Sequence, residues 1–214
     1  MKYLIVCGGK TDKEFGLNEI KTDGIDAIIA ADSGMDFLYE NGVTPDIIVG
    51  DFDSATTNAL EYFERKGQTE IRRLNPIKDD TDTEYAIRLA ISEGARSIVV
   101  LGATGSRIDH VLGNISLLGI GLESGTDICI IDTNNRIRMA DKPVTIEKSA
   151  QYGRFVSLIA VTDDNEVSLK GFKYPVTDYS FDRFTSLGIS NEIVDDQAVV
   201  DIHRGKFIII ESKD

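Results

Sequence analysis

The 214-residue sequence has no tryptophan, only two cysteines and two histidines, and no apolar run near the roughly 20 residues needed to span a bilayer. It is short of positive charge as well. Lys and Arg number 23 against 36 Asp and Glu, so the formal net charge is −13. That balance argues against a nucleic-acid binder working through a basic face, and against a protein drawn to anionic membranes. The two cysteines, Cys7 and Cys129, sit inside the apolar runs YLIVC and ICIID, as buried small hydrophobes of a reducing compartment do. The first apolar run is too short for a signal peptide, so the expected location is cytoplasmic. Motifs of common chemistries are missing too: there is no CxxC, HExxH, GxSxG or Walker A sequence. What remains is 42% hydrophobic residues, enough for a packed core.

The charge deficit is local. Between Lys21 and Arg65 there is no basic residue, while ten acidic ones occur. Most such residues are solvated helix faces. Some of them, however, stand where a cation would be a partner.

Two patterns divide the chain. Up to about residue 133, short apolar runs (YLIVC, AIIAAD, DIIVGD, EIRRL, SIVVLG, ICIID) alternate with helical patterns such as GMDFLYENG and DTEYAIRLAISEG. Gly42, Gly67, Gly94 and Gly125 follow the helical stretches where a left-handed residue ends a helix. This predicts an α/β domain over residues 1–133 with a mainly parallel sheet. From 134 to 214 strand-like runs follow one another, which predicts a small antiparallel β-sandwich. Its last pair, AVVDIH and KFIIIES joined by Arg204-Gly205, reads as a tight hairpin. His203 beside that turn reads as solvated.

Four segments carry candidate chemistry. In DIIVGDFDSAT, Gly50 permits a sharp turn, and Asp51 and Asp53 follow an apolar strand at its carboxyl end, where α/β sheets bind ligands. On an extended chain the two carboxylates share a side, and their repulsion calls for a cation such as Mg²⁺. The plain alternative is a helix cap at Asp53 or Ser54. In NPIKDDTDTEYAI, Thr81 and Glu84 form a capping-box pattern. Lys78, Asp79, Asp80 and Asp82 add more charge than a cap requires, and a helix start beside a lysine also suits phosphate. In VLGATGSRIDHVLGN, a glycine turn ending at Gly105 precedes a helix, with Arg107, Asp109 and His110 in the same turn. The alternative there is an Arg–Asp pair with His110 packed. In GISNEI, Ser190 and Asn191 alone indicate only a turn.

Taken in order, ADSGMDFL, PDIIVGDFDS, KDDTDTEYA, LGATGSRIDHVLGN, GFKYPV and GISNE resemble the thiamine pyrophosphokinase family in its bacterial form, from about residue 28 to the end. The resemblance implies transfer of the β,γ-diphosphate of ATP to the hydroxyl of thiamine, giving thiamine diphosphate and AMP. It implies a requirement for Mg²⁺, and a homodimer with its site between subunits. By motif match, Asp51, Asp53 and Asp82 hold magnesium and the ATP phosphates, and Asp32, Ser33 and Gly34 match a nucleotide-side motif. Asp79 and Thr81 belong to the phosphate loop, with Lys78, Gly105 and His110 on the nucleotide side. Arg107 and Asp109 lie near the reacting groups, and Ser190 and Asn191 meet thiamine. The aromatic partner of thiamine is one of Phe172, Tyr174 and Tyr179. Asp51-Phe52-Asp53 also fits the first motif of haloacid dehalogenase-type phosphatases, which leaves RIDH and the second domain unexplained. A sensor that binds nucleotide or thiamine without turnover is the non-enzymatic alternative.

Overall fold

The computed structural model describes residues 1–52, 57–75 and 80–214. The chain divides into two compact units, Met1–Thr133 and Asn134–Asp214.

The first unit alternates strand and helix: β1 (Lys2–Val6), α1 (Lys13–Ile20), β2 (Ala27–Ala31), α2 (Gly34–Glu40), β3 (Ile47–Gly50), α3 (Thr57–Lys66), β4 (Glu70–Arg73), α4 (Asp82–Ser92), β5 (Ser97–Leu101), α5 (Ile108–Ser124) and β6 (Asp127–Ile131). The strands lie in the order β6-β5-β1-β2-β3-β4, and every pair within this order is parallel. Strands buried on both faces need continuous apolar runs. Leu4, Val6, Ala30, Ile48 and Leu101 supply them, packed with Met35, Leu38 and Phe63 from the helices. Gly42, Gly67, Gly94 and Gly125 have φ between +64° and +89°, as their places after helices require. Helix α1 has no clear apolar stripe because Gly16 stands on its buried side, where a Cβ would meet the Phe37 ring 2.6 Å away. Asp12 caps it, accepting from Phe15 N–H at 2.9 Å.

The order matters for function. From β1 the chain moves outward through β2, β3 and β4, then returns to place β5 on the other side of β1. The switch point of the sheet therefore lies between β1 and β5, the place at which open α/β sheets bind their ligands.

The second unit is an antiparallel sandwich of β7 (Asn135–Ala140), β8 (Val144–Glu147), β9 (Phe155–Ala160), β10 (Glu166–Lys170), β11 (Val176–Ser180), β12 (Asn191–Glu192), β13 (Gln197–Arg204) and β14 (Phe207–Ser212). One sheet runs β12-β9-β14-β7 and the other β11-β10-β13-β8. Val156, Leu158, Val167, Leu169, Val200, Phe207 and Ile209 meet between them.

One expectation is overturned here. β13 and β14 do not form a hairpin: β13 pairs with β10 and β8, and β14 pairs with β7 and β9. Arg204-Gly205 instead carries the chain from one sheet to the other. Strands facing each other across a core alternate apolar and polar residues just as hairpin strands do, so pattern alone cannot separate the two. Gly205 takes φ +87° against Asn165 and the Asp164 carbonyl, and Lys206 N–H bonds Thr162 Oγ1 at 3.1 Å. No described helix of either unit is long and apolar enough to cross a membrane.

Candidate active site

Strands β2 and β3 are parallel neighbours, with Ala31 opposite Val49, so they end at one edge of the sheet. Asp32 follows β2, and its N–H donates to the Val49 carbonyl at 2.8 Å. Asp51 follows β3. Asp82 is the first residue of α4, after Thr81, whose hydroxyl caps the helix by accepting from Glu84 N–H at 3.2 Å. Glu84 itself is engaged with Arg88, Nη2 to Oε1 at 2.7 Å. Asp32, Asp51 and Asp82 are half-buried, and each offers a carboxylate oxygen within 4.8 Å of the others. Three negative charges that close repel strongly where water is partly excluded. A divalent cation relieves the repulsion, and an all-oxygen set of hard donors suits Mg²⁺, which shares its remaining positions with water and phosphate.

Sequence reasoning places Asp51 and Asp82 in this group but sets Asp32 with the nucleotide motif. The third expected metal ligand, Asp53, lies outside the described residues, as do Ser54, Lys78 and Asp79. The turn after β3 also differs in detail. Phe52, not Gly50, is the left-handed residue, with φ +65°, and Arg73 stacks over its ring at 5.3 Å. The chain is thus not extended at Phe52. Gly50 serves a close approach instead, since a Cβ there would stand 3.1 Å from Asp32 Cα. Asp32 too is left-handed, at φ +48°. After it, Ser33 precedes α2, and Gly34 lies against the Val6 carbonyl, where a Cβ would collide.

The loops after β1 and β5 are packed backbone to backbone. Gly9 N–H donates to the Gly102 carbonyl at 2.9 Å, and Gly105 faces Gly9, its added Cβ 3.7 Å from Gly9 Cα. Asn114 of α5 holds the loop by donating to the Ala103 carbonyl at 2.8 Å, and Thr104 donates to Asp132 at 2.6 Å. Gly8-Gly9-Lys10 is thus a second turn at the switch point. Its signal, a glycine pair straight after an apolar strand, was available in the sequence. Cys7, just before it, is buried and accepts from Thr83 Oγ1 at 3.4 Å; burial pushes its thiol up to about 11.

At the start of α5, Arg107 and Asp109 form an exposed two-pronged pair, with Nη2–Oδ2 at 2.7 Å and Nε–Oδ1 at 3.3 Å. The hydrogen bonds from Arg107 hold the Asp109 carboxyl below the usual carboxylate range. His110 is exposed rather than packed.

In the second unit Ser190 is left-handed, φ +58°, and its N–H donates to Ser157 Oγ at 3.0 Å. Asn191 is buried. Phe172 belongs to the core and Tyr179 packs edge-on against Phe181, centroids 5.8 Å apart, whereas Tyr174 is 61% exposed. His203, expected in solvent, is exposed, and its ring also bonds Ser168 Oγ at 2.9 Å and lies 3.2 Å from Asp178 Oδ1.

A parallel α/β unit with three carboxylates at the carboxyl edge of its sheet is a construction suited to binding a ligand there. Residues 21–130 match the family model described as thiamin pyrophosphokinase, catalytic domain, and residues 143–207 match that of its vitamin B1 binding domain. Thiamine pyrophosphokinase of Bacillus subtilis is 34% identical over 188 residues, 87% of either chain. Crystal structures of the enzymes from Bacillus subtilis and Geobacillus thermodenitrificans superpose with TM-scores of 0.89 and 0.87, at 31% and 30% identity. They cover 100% of this chain, and 100% and 98% of those chains. The chain belongs to the thiamine pyrophosphokinase family, and it is an enzyme.

Proposed function

We propose that the protein transfers the diphosphate of ATP to the primary hydroxyl of thiamine, producing thiamine diphosphate and AMP. In this reading the hydroxyl oxygen attacks the β-phosphorus of ATP and its proton passes to solvent, the bond from that phosphorus to the α-side bridging oxygen breaks, and AMP leaves. The observation that carries the reading is the Asp32, Asp51 and Asp82 group at the end of a parallel sheet, in a chain of this family.

Those three carboxylates, with Asp53, would hold Mg²⁺; when bound, the metal supplies positive charge against the polyphosphate. The chain's own residues supply position. The loops Gly8–Lys10 and Gly102–Gly105 line the switch point, and Ser33, Gly34, Lys78, Asp79, Thr81 and His110 would serve the nucleotide. Arg107 offers a cation near the transferred group, and Asp109 fixes its guanidinium. The second unit takes thiamine, with Ser190 and Asn191 in the recognition segment. Tyr174, the most exposed of its three candidate aromatics, offers a ring face to the cationic substrate. The enzyme acts as a homodimer in the cytoplasm.

Purified protein with ATP and Mg²⁺ should release AMP only when thiamine is present, and EDTA should stop it. Phosphate release without thiamine would point to a phosphatase. Binding of both substrates with no product would point to a sensor.

A further inference from the structure

Asn191 is 6% exposed, yet it is a polar side chain in the recognition segment. Its amide is engaged on both ends. Oδ1 accepts from the N–H of Tyr174 at 3.1 Å and from the N–H of Glu192 at 2.9 Å, and Nδ2 donates to the Tyr174 carbonyl at 2.9 Å. Tyr174 presents one donor and one acceptor, so the orientation of the amide is fixed by its partners. The side chain thus gives residue 174 the two-sided pairing that a neighbouring strand would give.

The surroundings explain why a side chain has to do this. Phe172 and Ile193 form an antiparallel bridge, and Lys173 N–H donates to the Glu192 carbonyl at 2.8 Å. Backbone pairing then stops, because Asn191 and Glu192 turn to pair with Val156 and Phe155 of β9. Left-handed Ser190 sets that turn. The Asn191 amide carries the ladder one residue further, to the main chain of the exposed Tyr174. Lys173 closes the arrangement: its ammonium is 2.9 Å from Glu192 Oε1 and 5.5 Å from the centre of the Tyr174 ring. Arg154 holds the same carboxylate from Oε2, at 2.9 Å.

We propose that Asn191 is a positioning residue: it serves substrate recognition by fixing the backbone of Tyr174, and Tyr174 meets thiamine. The inference rests on the thiamine-binding reading of the second unit. An asparagine that touched thiamine directly would contribute independently of Tyr174, whereas one that acts through Tyr174 loses its effect once that ring is gone.

The test is a double-mutant cycle on the full-length enzyme, reading KM for thiamine, KM for ATP and kcat for Asn191→Ala, Tyr174→Ala and the double variant. Each single change should raise KM for thiamine about tenfold, with KM for ATP moving less than twofold. The double variant should match Tyr174→Ala alone within about twofold. Asn191→Asp, which keeps the acceptor for both N–H groups, should recover part of the loss and serves as the second variant if Asn191→Ala folds poorly. Factors that multiply in the double variant, or a Tyr174→Ala enzyme with unchanged KM for thiamine, would overturn the inference while leaving the activity standing. Wild-type protein without thiamine-dependent turnover would overturn both.

Discussion

Glu211 is fully buried in β14, and its two carboxylate oxygens receive four donors. Arg136 reaches it from Nε at 2.8 Å and Nη2 at 2.6 Å, Arg138 from Nη2 at 2.9 Å, and Tyr152 through its N–H at 2.9 Å. Both arginines come from β7, paired with β14 in the register Glu211 to Arg136. Glu211→Gln keeps the shape and removes the charge, leaving two guanidinium groups beside a neutral amide that cannot accept all four bonds. Breaking a buried pair costs about 3–5 kcal/mol. Here the arginines are 25% and 26% exposed, so water recovers part of the loss, and about 3 kcal/mol is the working figure. For a chain of this size about 3 kcal/mol lowers Tm by roughly 6–12 °C if the units unfold together, and by more if the sandwich melts alone. Urea titration followed by far-UV circular dichroism measures it directly. The exposed pair Glu64–Arg73 is the control, and Glu64→Gln should change stability by less than about 1 kcal/mol. A Glu211→Gln protein as stable as its control would refute the reasoning. β14 also supports β9, and β9 carries β12 with Asn191.

Three further outcomes follow from the first unit. Asp32→Asn should lower kcat/KM by about a hundredfold or more and raise the Mg²⁺ concentration needed for half-maximal rate, as should Asp51→Asn. Gly34→Ala should destabilise by about 1–3 kcal/mol in a denaturant titration, since its Cβ would enter the Val6 carbonyl. In a Cys129→Ser background, Cys7 should stay unreactive to a thiol reagent at pH 8 until the protein unfolds. A thiol pushed up to about 11 is roughly one part in a thousand thiolate at that pH, and the fraction grows only as pH rises towards that value.

The alternation of strands and helices was legible because parallel strands buried on both faces must be apolar throughout, and glycines mark where the helices end. Helix α1 was not, because Gly16 sits where the stripe would be apolar. β11 carries no readable strand pattern because four of its five residues are exposed, as on an edge strand. The supposed hairpin at Arg204-Gly205 failed for a different reason: alternation reports which residues face the core and not which sheet holds them. At the candidate site, Asp51 could be read from its place after an apolar strand, and Asp82 only through the motifs that resemble the family. The company of Asp32 could not, because it depends on β2 and β3 ending side by side. Asn191 shows the same limit. Its residue type suggests a turn, and only the fold reveals that its amide serves Tyr174.

The central claim is diphosphate transfer to thiamine. Phosphorus-31 NMR of ATP, Mg²⁺ and thiamine incubated with the purified protein tests it most directly. The account predicts AMP and thiamine diphosphate appearing in equal amounts, with neither formed when thiamine is omitted. ADP with thiamine monophosphate, or inorganic phosphate accumulating without thiamine, would contradict it.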